Sequence, residues 1–447
     1  MSKFATLLGF LPTNEQELAL SKISDFVEGK TEDNFFVLRG SAGTGKTSIV
    51  KAITTKLKEA GKSVKLGAPT ARAAKIIGAK TAHPSKTLHS QIYTPETIKN
   101  GGGVNFVRKQ NKSSEETIFI VDEASMISDT LTKNENFFVK NPLLTDYLDF
   151  VKQGNSKNKV IFIGDIYQLP PVTPGSNLTF SPALEPDYLS GKLGLSGNMF
   201  SLNQVMRQAE GSKVLKLATE IRDTMKRGGS TINNSLTKVS GPTPAIHLYL
   251  SLFEDGVLDK TTIICWTNRD VKWWNSVIRE RLGYSGSIAV KDIVTTQANW
   301  FSTTEWIFKG DTGVIRSLDN RVETYADLHF VEAEVEFSGD AGGKTIITTK
   351  ILLESLSSES GNLTPEQESH LFHQVMTHNS KFRESRKPSD DKYLGAMRLK
   401  HGYATTCHKA QGGEWDNVIL HPYQPKDLRW LYTAVTRARN EAYSWAA

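Results

Sequence analysis

The eight residues Gly40-Ser41-Ala42-Gly43-Thr44-Gly45-Lys46-Thr47 constrain this chain more than any other feature. They satisfy the phosphate-binding loop pattern at every position, and their flanks agree with it. The apolar run Phe35-Phe36-Val37-Leu38 reads as a strand, and Ile49, Val50, Ile53 and Leu57 recur at helical spacing until Gly61. A strand that turns through glycines into a helix brings backbone N–H groups to the electropositive helix end, where phosphate oxygens are held. Gly40, Ser41, Ala42, Gly43, Thr44, Gly45, Lys46 and Thr47 are therefore the expected nucleotide cradle. Lys46 supplies a point charge to the outer phosphates, and Thr47 a hydroxyl ligand for Mg2+.

Further short apolar runs, Val64-Lys65-Leu66-Gly67, Ile118-Phe119-Ile120-Val121 and Val160-Ile161-Phe162-Ile163, each end in a loop and lead into a helix-like stretch. That alternation predicts a parallel sheet wrapped by helices. A second set of such strands, Thr262-Ile263-Ile264-Cys265-Trp266 and Val418-Ile419-Leu420, predicts a second α/β domain, since 447 residues exceed what one hydrophobic core organises. We expect a first domain over 1–182 with a projecting hairpin at about 91–116, where Gly101-Gly102-Gly103 precedes Val104, Phe106 and Val107. The second domain is expected over 183–284 and 397–447. It is interrupted at 285–396 by a small β-rich domain with long loops, read from the alternation Val331-Glu332-Ala333-Glu334-Val335-Glu336-Phe337 and the polar stretch at 355–392.

A net charge of +6 and a pI near 9.0 favour a polyanionic partner without identifying one. No apolar run is long enough to cross a bilayer, and the first residues lack the pattern of a secretory leader, so a cytoplasmic protein with no membrane partner is expected. Two distant cysteines, Cys265 and Cys407, suit a reducing compartment and form no zinc-site spacing.

Two more segments carry chemistry beside the loop. The strand Ile118–Val121 runs into Asp122 and Glu123, where one carboxylate can hold Mg2+ and its neighbour can take a proton from an attacking water. Asp122 is assigned to the metal and Glu123 to the base. After the next strand, Gly164-Asp165-Ile166-Tyr167-Gln168-Leu169-Pro170-Pro171 offers the amide of Gln168 as a sensor of the outermost phosphate.

The order of blocks along nearly the whole chain resembles the superfamily 1 helicases, and within them the superfamily 1B branch of RecD-like and phage Dda-like enzymes. Thr13-Asn14-Glu15-Gln16 resembles the adenine-recognising motif, and Ala68-Pro69-Thr70-Ala71-Arg72-Ala73-Ala74-Lys75 and Thr87-Leu88-His89-Ser90 resemble two strand-binding motifs. Leu202-Asn203-Gln204-Val205-Met206-Arg207, Thr405-Thr406-Cys407-His408-Lys409-Ala410-Gln411-Gly412 and Leu431-Tyr432-Thr433-Ala434-Val435-Thr436-Arg437-Ala438-Arg439 resemble the family's later motifs.

The resemblance implies two RecA-like P-loop domains of α/β class, the hairpin inserted in the first and a small SH3-like β domain in the second. It implies ATP and Mg2+ as cofactors, and an ATP-dependent DNA helicase moving 5′ to 3′ on single-stranded DNA and opening tailed or forked duplex. Gln16, Gln411 and Gly412 would join the nucleotide site, and Arg207 and Arg437 would be arginine fingers. Pro69, Thr70, His89, Thr405 and His408 would line the strand groove, and Phe106 would stack on a base or split the duplex. A monomer meeting single-strand-binding or replication proteins, in the cytoplasm of a bacterium infected by a phage, is the implied setting. A protein-displacing translocase with weak unwinding and an RNA-directed helicase stay open as alternatives.

Overall fold

The computed structural model describes residues 5–97, 104–131, 137–171, 179–206, 211–232, 236–302, 306–338, 343–358, 361–422 and 427–445. They fall into two compact units, one formed by Met1–Glu96, Asn105–Ile232 and Leu428–Thr436, the other by Thr97–Val104, Asn233–Asp427 and Arg437–Ala447.

In the first unit the described residues form a six-stranded parallel sheet in the order Ser85–Thr87, Ser63–Ala68, Thr117–Val121, Lys159–Gly164, Phe35–Gly40, Gly197–Leu202. Alternate side chains along each strand enter different cores, because successive residues point to opposite faces. Phe36, Leu38, Ile118, Ile120, Ile161 and Ile163 pack with the helices Asn14–Val27 and Lys46–Glu59. Phe35, Val37, Phe119, Val121, Val160 and Phe162 pack on the other face with the helix Leu143–Gly154. Burial on both faces explains why these strands read as continuous apolar runs.

The last strand of this sheet, Gly197–Leu202, and the helix Lys213–Lys226 extend the unit past the boundary expected at residue 182. The helix Leu428–Val435 also belongs to this unit, although the sequence reading assigned 397–447 to the second domain. Where the hairpin was expected, the strands Tyr93–Thr97 and Val104–Arg108 pair and take in Phe137–Phe138 as a third strand.

The second unit holds a five-stranded sheet, again parallel among the described residues, in the order Thr237–Val239, Ala438–Trp445, Trp415–Leu420, Thr261–Cys265, Ala404–Thr406. Between Thr261–Cys265 and Ala404–Thr406 the chain leaves to form a closed barrel of Ile293–Thr296, Thr312–Tyr325, Leu328–Ser338, Lys344–Leu352 and Met397–His401. The alternation read at residues 331–337 is real: Val331, Ala333, Val335 and Phe337 point into the barrel core. The barrel's closing strand runs to His401, a few residues beyond the expected limit of 396.

The polar stretch at 355–392 is not a set of long loops. Pro365–His378 is a 14-residue helix, opened by Thr364 and Gln367 as a reciprocal cap and held by buried Leu371 and Val375 four residues apart. Arg279 of the helix Asn268–Arg281 meets Asp292, just before the barrel, through Nε and Nη2 at 2.8–3.1 Å, and Tyr403 Oη donates to the same carboxylate at 2.7 Å. Among the described residues no helix is long and apolar enough to cross a membrane.

Candidate nucleotide and nucleic-acid sites

The three chemistry-bearing segments of the first unit leave neighbouring strands at one edge of its sheet. Register pairs Arg39 with Gly164 and Val121 with Phe162. The loop at 40–47, the turn at 165–168 and the acids at 122–123 therefore emerge side by side at carboxyl ends, the usual place for ligands in a parallel sheet.

Gly43 and Gly45 take φ of +77° and +83°, which L side chains rarely adopt, and Gly45 caps the helix Lys46–Glu59. Lys46 Nζ donates to the carbonyls of Gly40 (2.7 Å) and Ser41 (3.1 Å), and Thr44 Oγ1 donates to Ser41 O at 2.8 Å. Thr47, partly exposed, stands in the first turn of that helix.

Four surrounding elements hold the loop. Gln16 is fully buried; its Oε1 accepts from Thr13 N (3.0 Å) and its Nε2 donates to Thr44 O (3.0 Å). Both halves of the amide that the sequence reading gave to adenine are thus engaged by helix cap and loop. Met206 N donates to Gly43 O at 3.0 Å. Arg222 of the helix Lys213–Lys226 is 7% exposed and donates through Nη1 to Ser41 Oγ at 2.8 Å. Tyr432 Oη, from the helix Leu428–Val435, accepts from Ala42 N (2.9 Å) and donates to Asp165 Oδ2 (2.7 Å). Its neighbour Thr433 accepts from Leu169 N at 2.9 Å.

Burial first, and the neighbouring Glu123 charge second, push the Asp122 carboxyl up to about 7. Glu123 sits at φ 51°, a left-handed conformation that costs a non-glycine residue energy and aims its side chain out of the strand direction. Glu123 Oε2 and Gln168 Oε1 are buried and have no hydrogen-bond partner among the described residues. Buried oxygens left in this way are costly unless a further group meets them. A glycine-lined helix N-terminus, a lysine, a hydroxyl and hard carboxylate oxygens form a donor set that fits a nucleoside triphosphate with Mg2+.

Arg207 lies outside the described residues, as does the side chain of Phe106. Arg437 belongs to the second unit, where it is 5% exposed, its Nη1 donates to Gly413 O (3.2 Å) and its carbonyl accepts from Trp415 N (2.9 Å). This brings it against the turn of Gln411 and Gly412, the latter at φ +73°.

The strand-contact candidates divide between the units. Pro69 and Thr70 follow the strand Ser63–Ala68, whose neighbour Ser85–Thr87 leads to His89, with Ala68 opposite Thr87. Thr70 also caps the helix Ala71–Thr81 by accepting from Ala73 N at 3.2 Å. Burial pushes the His89 imidazole down to about 4, so it is neutral at physiological pH, with its ring 5.8 Å from that of Tyr93. Thr405 and His408 lie at the carboxyl end of Ala404–Thr406 in the second unit, and burial lowers the His408 pKa as well.

Sequence reasoning missed Arg222, Tyr432 and Thr433 as neighbours of the loop. A signal existed for Arg222: it stands on the apolar stripe Val214, Leu217, Ala218, Ile221, where a charged residue is unexpected without a partner. None existed for Tyr432, which lies 390 residues from Ala42.

Fold and site together have the arrangement of a P-loop α/β nucleotide-binding protein. Residues 16–235 match the AAA domain family and residues 401–443 the UvrD-like helicase C-terminal domain. The chain is 25% identical over 417 residues to the ATP-dependent RecD2 DNA helicase of Deinococcus radiodurans, covering 91% of this chain and 46% of that protein. It is 22% identical over 444 residues to the ATP-dependent DNA helicase dda of Enterobacteria phage T4, covering 93% and 95%. The chain thus spans about half of the first relative's length and nearly all of the second's. The crystal structure of Bacteroides Pif1 bound to ssDNA superposes with a TM-score of 0.52 at 18% identity, covering 98% of this chain and 92% of that one, a likeness of fold. Together these likenesses support a superfamily 1B helicase of the RecD and Dda type, with the fold of Pif1.

Proposed function

We propose that this protein is an ATP-dependent DNA helicase that moves 5′ to 3′ along single-stranded DNA and opens tailed or forked duplex. The observation that carries the reading is the loop at 40–47 flanked on adjacent strands by Asp122, Glu123 and Gln168, with buried oxygens of the last two unpartnered.

In this reading Lys46 and the loop amides hold the triphosphate, while Thr47 and Asp122 hold Mg2+, which when bound screens phosphate charge. Glu123 takes the proton of the attacking water, and Gln168 contacts the outermost phosphate. Arg207 and Arg437 neutralise charge that grows as that phosphate departs. Two RecA-like domains, with Lys46 on one and Arg437 on the other, would close around ATP and relax after hydrolysis, gripping the strand alternately. Pro69, Thr70, His89, Thr405 and His408 supply neutral, sequence-independent contacts to that strand. The hairpin bearing Phe106 acts as the wedge, and the inserted barrel takes the part of the family's SH3-like domain. The direction of movement rests on the resemblance to superfamily 1B, and a monomer working in the cytoplasm, a phage-infected one included, on the likeness to the phage protein. Single-strand-binding or replication proteins are its expected partners there.

The reading is tested by ATP hydrolysis measured with and without single-stranded DNA or RNA, for wild type and Lys46→Ala. It expects DNA to stimulate hydrolysis and the variant to abolish it. Stimulation by RNA alone would replace DNA with RNA as the track, and no stimulation by either would overturn the motor reading.

A further inference from the structure

The hydrogen bond that joins the loop to the helix Leu428–Val435 competes with phosphate binding. Ala42 N–H is an interior amide of the phosphate loop, and it is donated to Tyr432 Oη at 2.9 Å. A single N–H serves one acceptor well, so a phosphate oxygen that claims this amide must displace the phenol. Tyr432 is fully buried, and burial together with Asp165 raises its pKa far above the ordinary phenol value, so it stays a proton donor to Asp165 Oδ2. Asp165 is itself fully buried and accepts from Tyr167 N at 3.0 Å through its other oxygen, which fixes the turn that carries Gln168. One residue along the same helix, Thr433 holds Leu169 N, just beyond Gln168. The helix is therefore fastened to the loop at 40–47 through Tyr432 and to the turn at 165–169 through both residues. Five residues after Tyr432 the chain reaches Arg437.

We propose that Tyr432 is a positioning residue, a latch that occupies Ala42 N–H until a nucleotide phosphate replaces it and so couples loop occupancy to the segment leading to Arg437. The proposal rests on the reading of 40–47 as the nucleotide site and of Arg437 as the residue that completes it. With the latch closed, the phenol bridges loop and Asp165. With phosphate bound, Tyr432 keeps only Asp165, Thr433 keeps Leu169, and the helix pivots on the turn that contains the sensor instead of on the loop. Arg222, bonded to Ser41 Oγ from another helix, holds the adjacent loop residue in place through the exchange.

The test is a fluorescent, non-hydrolysable ATP analogue titrated with Mg2+ and no nucleic acid, together with DNA-stimulated ATPase, on Tyr432→Phe, Thr433→Val and Asp165→Asn. Loss of the phenol hydroxyl removes one competing hydrogen bond, so Tyr432→Phe binds the analogue about fivefold tighter. It also turns over more slowly, so KM and kcat fall together. Asp165→Asn, which gives the phenol a neutral acceptor, shifts affinity the same way by less. Thr433→Val removes the other fastening and leaves the analogue's Kd unchanged. Unchanged or weaker binding by Tyr432→Phe with an unaltered melting temperature overturns the latch, and so does an equal shift in Thr433→Val. If Tyr432→Phe does not fold, Asp165→Asn decides by the same sign. A wild type that binds the analogue yet gains nothing from DNA would sink the motor reading, while the comparison of variants would still decide the latch.

Discussion

Replacing Gln16 separates two accounts of the same residue. Its amide bridges Thr13 N and Thr44 O, each at 3.0 Å, and its side chain lies against the loop, with Nε2 only 2.3 Å from where a Cβ on Gly45 would stand. Gln16→Ala leaves the carbonyl of fully buried Thr44 without this donor, which costs about 1–3 kcal/mol, and breaks the reciprocal helix cap for about 1 kcal/mol more. A loss of about 2–4 kcal/mol lowers the melting temperature of a unit of this size by several degrees. Gln16→Glu keeps the cap acceptor, since Glu serves at that position as well as Gln. It sets an oxygen against Thr44 O, however, and so isolates the loop contact. If Gln16 acts by bracing the loop, both variants raise KM for ATP and GTP in parallel, and both melt earlier. A rise in KM for ATP alone, with melting unchanged, would refute the bracing argument and restore Gln16 as a reader of adenine.

Two further outcomes follow from buried charge. Asp292→Ala strands the 8%-exposed Arg279 guanidinium without its carboxylate, so the second unit should lose about 3–5 kcal/mol in a denaturant melt, whereas Asp292→Asn loses less because it can still accept. The raised Asp122 pKa favours the protonated form of the folded chain, so its stabilising share is full below the unfolded value near 4 and lost as pH rises to about 7. In Mg2+-free buffer, wild-type stability relative to Asp122→Asn should therefore fall over that window, by at most about 1.4 kcal/mol per pH unit, and level off above it. A flat difference between pH 4 and 8 would show that the carboxyl is not desolvated.

The first sheet was legible because its strands are buried on both faces and carry unbroken apolar runs such as Thr117–Val121. The loop was legible because glycine, lysine and threonine occur there at fixed spacing. The barrel was legible only as alternation at 331–337, since register and closure depend on partners such as Met397–His401 that are distant in sequence. The helix Pro365–His378 was missed because its buried contacts are few, Leu371 and Val375, and its polar face dominates the composition. The limits of the first unit were misread because Gly197–Leu202 adds to the far edge of the sheet and Leu428–Val435 returns from near the end of the described chain, neither of which leaves a local signature. Within the site, motif spacing picked out the loop at 40–47, Asp122, Glu123 and Gln168, which the fold brings to one edge of the sheet, and missed Arg222 and Tyr432, whose contacts with the loop are tertiary.

The central claim is most directly tested by strand displacement on DNA duplexes carrying a single-stranded tail at only the 5′ or only the 3′ end, with ATP and Mg2+, for wild type and Lys46→Ala. The account predicts that wild type opens the 5′-tailed duplex, leaves the 3′-tailed one paired, and loses all opening in the variant. Opening from the 3′ tail, or ATP hydrolysis without opening from either, would contradict it.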